Sequence, residues 1–296
     1  MTANILKTHD TVNATNVCWE ITSRCNDRCA FCYRPDTRQE LPDGEADLVL
    51  DRLIEGGVRK ITWTGGEALL CKNTERLIQR AHAAGVVTSL ITNAILLTPE
   101  RAECLAPHLD WITFSLDGPD GETQRAMTRN AGHFERITGW LGWFQAEFPG
   151  VRRKINTVAA SPNLEAVPAI ADIVRAFDVC RWKIFRFFPV RGTAARNSAD
   201  FSVSDADFRR LASRMDAVRA VLPGCRVDVE DHEQMNDAYL SVLPDGELRV
   251  SHDNGDTLLG SLVSGSFQNL VRCPAFSPAK HGRRTSWLYK PAEAVS

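Results

Sequence analysis

Along the first two thirds of the chain, short apolar runs alternate with longer segments whose apolar residues recur every three or four positions. The short runs predict strands at Val17–Thr22, Lys60–Thr64, Val86–Ile91, Trp111–Leu116, Lys154–Val158 and Trp182–Phe187. The longer segments predict helices at Ala46–Glu55, Thr74–Ala84, Pro99–Ala106, Phe134–Glu147 and Leu164–Ala176. A strand–helix unit repeated along the chain implies parallel strands with helices outside. Six such units end near Phe187, fewer than the eight of a closed barrel, which needs about 250 residues. The expectation is an α/β fold, a partial (βα)6 TIM-like barrel open on one side.

The remainder reads differently. Ser204–Leu222 is an amphipathic helix with Ser204 as its N-cap. Arg226–Glu230 follows, then a hairpin: Tyr239–Leu243, the turn Pro244-Asp245-Gly246, and Glu247–Val250. The predicted division is a short flexible N-terminus at 1–15, the barrel at 16–190, and a C-terminal α/β extension at 191–296 that covers the barrel mouth.

Strands five and six carry charge where a buried strand carries none. Alternation puts Lys154 and Asn156 on one face of strand five, and Arg181, Lys183 and Phe185 on one face of strand six. If Ile155, Trp182 and Ile184 pack against the helices, the cations point into the barrel. Buried cations need an anion, and no acidic counterpart is evident in the neighbouring strands. A polyphosphate would satisfy them, with arginine forming paired contacts and lysine acting as a point charge. The plainer alternative is a set of strand-edge charges reaching solvent at the open side.

Composition narrows the partners. The 296 residues are 44% hydrophobic and 24% charged, an ordinary globular balance. A net charge of -2 supplies no field for nucleic acid or an anionic membrane surface, so neither is expected as a partner. The longest apolar stretch, Ala81–Leu97, is interrupted by His82 and Asn93, and Met1–Asn16 lacks the apolar core of a signal peptide. The expectation is a cytoplasmic monomer. Nine cysteines, three of them clustered, read as metal-binding rather than disulfide-paired.

Those three, Cys25, Cys29 and Cys32, form a CxxxCxxC on the loop after strand one. In barrels of this kind, loops at the C-terminal ends of the strands build the active site. Three thiolates on one loop can hold three corners of a [4Fe–4S] cubane, leaving the fourth iron open to a small molecule. A structural zinc site wants four closed ligands, usually as two pairs, and neither Cys225 nor Cys273 completes one. Thr64-Gly65-Gly66-Glu67 follows strand two; Asn93 follows strand three; Ser115 and Asp117 sit at the end of strand four. Taken singly, each is a plain turn former or cap.

Together these motifs resemble the radical S-adenosylmethionine superfamily. The resemblance implies that the cofactor's amino and carboxylate groups chelate the open iron. It also implies that an electron from the cluster, delivered by a donor such as flavodoxin or ferredoxin, cleaves the cofactor to a 5′-deoxyadenosyl radical. By the same resemblance Phe31 holds the aromatic position of the motif, and Gly65, Gly66 and Glu67 form the site for the cofactor's amino group. Asn93 and Ser115 line the cofactor, and Arg129 pairs with its carboxylate.

Lys154-Ile155-Asn156-Thr157-Val158, the run Arg181-Trp182-Lys183-Ile184-Phe185 and the segment Glu233–Leu240 resemble the viperin family. That similarity extends from about Val17 to the C-terminus. It implies removal of water from the ribose of a nucleoside triphosphate, through abstraction of the 4′ hydrogen, to a 3′-deoxy-3′,4′-didehydro nucleotide that terminates viral RNA chains. Lys154, Arg181 and Lys183 then bind the triphosphate, and Asn156 and Tyr239 face the nucleotide. Apart from the resemblance, the basic pair Arg283 and Arg284 near the C-terminus is expected to close over the terminal phosphate, the plainer alternative being a solvated basic tail. The chain departs from the family at Thr37, where viperin has lysine and where the adjacent Arg38 would substitute. It also departs at Cys18, where viperin has asparagine, and it lacks the amphipathic N-terminal helix. Two other readings remain: a radical enzyme modifying a ribosomal peptide or another nucleotide-type substrate, and an iron–sulfur electron carrier.

Overall fold

The computed structural model describes residues 15–34, 37–252 and 255–285; the side chains at 235, 284 and 285 lie outside that description, as do residues 1–14 of the N-terminal segment assigned to 1–15. The strand–helix alternation runs β1 (Asn16–Thr22), α1 (Asp43–Glu55), β2 (Lys60–Gly65), α2 (Thr74–Ala83), β3 (Val87–Thr92), α3 (Pro99–Leu105) and β4 (Trp111–Ser115). It continues with α4 (Gly121–Ala126), α5 (His133–Glu147), β5 (Arg152–Ala159), α6 (Ala171–Ala176) and β6 (Arg181–Arg186). After β6 come α7 (Gly192–Arg196), α8 (Ser198–Phe201), α9 (Asp205–Ala220), β7 (Arg226–Glu230), α10 (His232–Met235), β8 (Leu240–Val242), β9 (Glu247–His252), β10 (Gly255–Ser261), α11 (Phe267–Leu270) and α12 (Pro278–Thr285).

Local chemistry sets these boundaries. Pro42 precedes α1 and Gly56 ends it. Thr98 caps α3 by accepting from the Arg101 amide, with Pro99 in the first turn. Ser204 caps α9 by accepting from the Asp207 amide at 3.1 Å, as its sequence position predicts. The predicted helix Leu164–Ala176 is shorter: Val167–Ile170 is a 3-10 turn containing Pro168, and the α-helix begins at Ala171. Proline has no amide hydrogen to donate and clashes with the preceding turn, so the α-helix starts only beyond it.

One ten-stranded sheet holds the molecule, in the order β10-β9-β8-β1-β2-β3-β4-β5-β6-β7. β1 to β7 are all parallel. The barrel-like run therefore has a seventh parallel strand that the strand–helix count stopped short of. The long excursion of α7 to α9 between β6 and β7 hides the repeat. β8 joins the other edge parallel to β1, and β9 and β10 continue it as an antiparallel meander. The predicted hairpin is β8 and β9, closed at Pro244–Gly246, where Gly246 adopts φ +82. The extension thus adds strands to both edges of the sheet.

Alternation sorts the strands' two faces. Val17, Trp19, Ile61, Trp63, Leu90, Ile112, Phe114, Ile155, Trp182 and Ile184 are each at most 1% exposed and form a single apolar cluster. The same cluster takes in Val49, Leu50 and Leu53 of α1, Leu77 and Ile78 of α2, and Ile137, Leu141 and Phe144 of α5. Burying each large side chain is worth roughly 1.5–3 kcal/mol. With that register fixed, the opposite face turns its polar residues toward the barrel lumen.

Candidate active site

The cluster loop leaves the C-terminal end of β1. It is anchored at its root by Arg24, paired with Glu40 at 2.7 Å, and at its middle by Ala30. The Ala30 amide donates to Thr128 Oγ1 at 2.7 Å and its carbonyl accepts from Asn197 Nδ2 at 3.0 Å. Thr128 holds φ +56, a left-handed conformation that costs a threonine energy and recurs at functional sites. The Cys32 amide donates to the Cys29 carbonyl at 3.2 Å, and Cys32 acts electrostatically on both Cys25 and Cys29. Burial pushes the Cys29 thiol up to about 12, with the Arg129 charge pulling it the other way. Among the described residues no three His, Cys, Asp or Glu side chains converge as the ligands of one metal ion. A cubane, which takes a single thiolate at each iron, fits three thiols spread along one loop.

Arg129 lies against this loop. It donates from Nη1 to Cys29 Sγ at 3.1 Å and from Nε to Asp117 Oδ2 at 2.7 Å, and its guanidinium sits 4.9 Å from the centre of the Phe31 ring. Asp117 is fully buried, and its other oxygen accepts from the Val158 amide at 2.8 Å. Desolvation works against the Arg129 charge, but Asp117, Cys29 and Asp27 outweigh it and raise its pKa. Asn93 reaches the same loop from β3, donating to Asn26 Oδ1 at 2.8 Å.

The Gly65-Gly66-Glu67 segment packs on the cluster loop. A Cβ on Gly65 would stand 2.2 Å from the Thr22 carbonyl oxygen, and one on Gly66 would stand 2.1 Å from that of Arg24. The Gly66 and Glu67 amides donate to these same two carbonyls at 2.8 and 2.9 Å. The glycines therefore let two backbones meet. Glu67, 1% exposed, accepts from the Leu69 amide at 3.2 Å, Thr92 Oγ1 at 2.8 Å and the Asn93 amide at 2.8 Å. Its carboxylate is a strut between the β2 and β3 loops, and burial raises its pKa. Ser115, at the end of β4, accepts at its carbonyl from His133 Nε2 at 2.8 Å and stands in register with Asn156.

Further down the lumen, Lys154 and Asn156 of β5 stand in register with Arg181 and Lys183 of β6. All four are on the lumen face, as alternation predicts. The acidic counterpart not evident from the sequence lies on β7. Asp228 pairs with Arg181 at 2.7 Å and Glu230 with Lys183 at 2.8 Å. Tyr239 donates to Glu230 at 2.9 Å and also hydrogen-bonds Lys183. The Lys154 ammonium has no ion pair or hydrogen bond among the described residues. Burial, and then the charges of Arg181, Lys183 and Lys60, hold its pKa well below the ordinary lysine value.

Lys60, at the foot of β2, is likewise pushed down to about 7 by burial and by Arg181 and Arg152. Arg38 is held at Asp245, 2.5 Å away, and Arg283 is exposed on α12. Asp228, Glu230 and Lys60 are lumen residues that sequence reasoning passed over. Inward alternation on Arg226–Glu230 and Lys60–Thr64 carried the signal, but only the pairing of β7 with β6 gives it meaning.

A family model for the radical SAM superfamily matches residues 19–161. An S-adenosylmethionine-dependent nucleotide dehydratase from Flammeovirga pacifica is 31% identical over 243 residues, 78% of this chain and 80% of that protein. The chain belongs to the radical SAM superfamily, among its viperin-like nucleotide dehydratases. A second protein of that description, from Lacinutrix mariniflava, is 29% identical over 239 residues; the match covers 75% of this chain and 47% of its own length. The crystal structure of Streptococcus suis SuiB bound to S-adenosylmethionine superposes with a TM-score of 0.71 over 93% of this chain and 68% of that one, at 16% identity. At that identity the likeness is one of fold.

The viperin-like chain is accordingly a radical SAM enzyme of the dehydratase type, with a [4Fe–4S] cluster and S-adenosylmethionine as its cofactors. No helix among the described residues is long and apolar enough to cross a membrane.

Proposed function

We propose that this enzyme dehydrates the ribose of a nucleoside triphosphate to a 3′-deoxy-3′,4′-didehydro nucleotide. Bound at Cys25, Cys29 and Cys32, the cluster with S-adenosylmethionine would supply a 5′-deoxyadenosyl radical, which takes the hydrogen from ribose carbon 4′. The 3′-hydroxyl then takes up one proton and leaves as water, and one electron from an external reductant of the flavodoxin or ferredoxin class completes the product. A reduced flavodoxin or ferredoxin is the proposed source of electrons for the cluster.

The observation that carries the substrate class is Lys154. It is a cation inside the lumen, with no anion of its own among the described residues, beside two cations already partnered by β7. A triphosphate supplies what Lys154 lacks, and Arg181 and Lys183 would turn toward it from Asp228 and Glu230. Anchored there, the sugar would stand below the cluster loop with its orientation set by the phosphates, which is the protein's main contribution to a radical reaction. Asn156, one step up β5 toward Ser115, would face the ribose. Arg129 and the Glu67-braced loop would hold the cofactor.

The test is an anaerobic assay of the reconstituted protein with CTP, UTP, GTP and ATP, measuring 5′-deoxyadenosine and a nucleotide lighter by one water. Substrate deuterated at carbon 4′ should pass its label into 5′-deoxyadenosine. Label retained in the nucleotide, with every triphosphate binding no better than its nucleoside, would sink the reading.

A further inference from the structure

The wall of the lumen across from the cations carries a second polar pair. Glu20 shares a face of β1 with Cys18; Cys18 stands in register with Ser241 of β8, and Ser241 with Arg249 of β9. Cys18 is within electrostatic reach of Glu20, Lys60, Lys154 and Lys183, so the carboxylate and the cations share one lumen. Arg249, 3% exposed, pairs through Nη2 with Glu20 Oε1 and through Nη1 with Asp256 at 3.6 Å. Asp256 also pairs with Arg191, which donates from Nε to the Tyr33 carbonyl at 3.0 Å. The wall is thereby tied to the end of the cluster loop.

Two atoms of this pair are left over. Glu20 Oε2 and Arg249 Nε are buried and have no hydrogen-bond partner among the described residues. Leaving a buried polar group unsatisfied is costly, and such groups call for a reason. One is an acceptor and the other a donor, on two residues in contact with each other and placed by register beside Cys18, within electrostatic reach of the lumen cations. The groups that complete them are a donor next to an acceptor on a planar edge.

We propose that Glu20 and Arg249 read the nucleobase, and that they select a base with an exocyclic amino group beside a ring-nitrogen acceptor. This deepens the nucleoside triphosphate reading and rests on it. The amino group donates to Glu20 Oε2, and the ring nitrogen accepts from Arg249 Nε. Cytosine offers this pair at its 4-amino group and N3, adenine at its 6-amino group and N1, and guanine at its 2-amino group and N3. Uracil offers none. Its single ring N–H lies between two carbonyls, so pairing it with the carboxylate sets a carbonyl oxygen against a negative charge. A site built to hydrogen-bond a group rejects the analogue that lacks it far more sharply than an apolar pocket does.

Calorimetric binding of CTP, ATP, GTP and UTP to the reconstituted protein, anaerobic and without reductant, tests this. The tightest of the three amino-bearing triphosphates should bind about tenfold to a hundredfold more tightly than UTP. In Glu20→Gln the carboxamide can turn its N–H toward a carbonyl, and that ratio should fall about tenfold. UTP binding as tightly as the best of the other three in the unmodified protein overturns the proposal. A folded Glu20→Gln protein with an unchanged ratio does so too. If no triphosphate binds better than its nucleoside, the nucleotide reading itself fails and the base reader falls with it. The first measurement needs no variant, so a Glu20→Gln protein that fails to fold leaves the proposal open to refutation.

Discussion

The Tyr239 hydroxyl, just before β8, donates to Glu230 at the end of β7 across 2.9 Å. β7 and β8 are the sheet neighbours of β6 and β1 and do not hydrogen-bond to each other through their backbones. The open side of the barrel is therefore spanned by side chains, and Lys183 joins the same contact. Tyr239→Phe keeps the ring that lies 4.9 Å from the Lys183 ammonium but removes the bridge to Glu230. It should lower stability by about 0.5–1.5 kcal/mol for the lost hydrogen bond. The check is a denaturant midpoint on the unloaded protein; no change would mean that the bridge closes nothing.

The cluster should depend on Cys25, Cys29 and Cys32 alone. Each change to alanine should abolish the cluster's visible absorbance and the cleavage of S-adenosylmethionine, and the same change at Cys18, Cys71, Cys104, Cys180, Cys225 or Cys273 should leave the absorbance in place. A Cys29→Ala protein that still cleaved the cofactor at the normal rate would refute the assignment.

Glu67 should prove a positioning residue. Its carboxylate receives three protein donors, so Glu67→Ala leaves buried amides unpaired, which costs about 1–3 kcal/mol each. Glu67→Gln keeps acceptor oxygen and should retain more of the stability. Cofactor affinity should fall about tenfold in the alanine variant, with triphosphate affinity nearly intact. Parallel titrations of both ligands decide it, and equal losses would count against the division of labour.

Asp117→Asn should weaken the hold on Arg129. The guanidinium is 9% exposed and would lose its closest anion, leaving Asp27 at 3.9 Å. Removing one partner of a buried ion pair costs about 3–5 kcal/mol when the other is left charged. The isosteric amide keeps an acceptor, so the loss should fall at the low end. A melting temperature unchanged within error would show that Arg129 does not need Asp117.

Triphosphate binding should take up protons. In the free enzyme, burial and neighbouring cations lower the pKa of Lys154 well below the ordinary lysine value and bring that of Lys60 to about 7. A bound polyanion favours the charged forms and raises both. Between the lowered free values and the raised bound values, binding therefore adds protons. Affinity for the triphosphate should decrease as pH rises through that window. Calorimetry at pH 8 in buffers of different ionisation enthalpy should show net uptake, reduced in Lys154→Met. Release of protons, or a pH-independent heat, would contradict this.

The strands of the barrel could be read from the chain because each strand's outer face must be apolar to meet a helix. That requirement writes Ile155, Trp182 and Ile184 into alternate positions and so turns Lys154, Arg181 and Lys183 inward. The three-cysteine spacing is similarly local, since one loop supplies all the thiolates. The tertiary structure alone decided what the inward residues meet. Asp228 lies 47 residues beyond Arg181 in sequence, and it becomes Arg181's partner only because β7 returns parallel to β6 after a long helical excursion. Glu20 and Arg249 are 229 positions apart and meet because β8 and β9 add to the far edge of the sheet beside β1. Periodicity records the face on which a side chain lies; the partner across the lumen depends on strand order, which no local pattern carries.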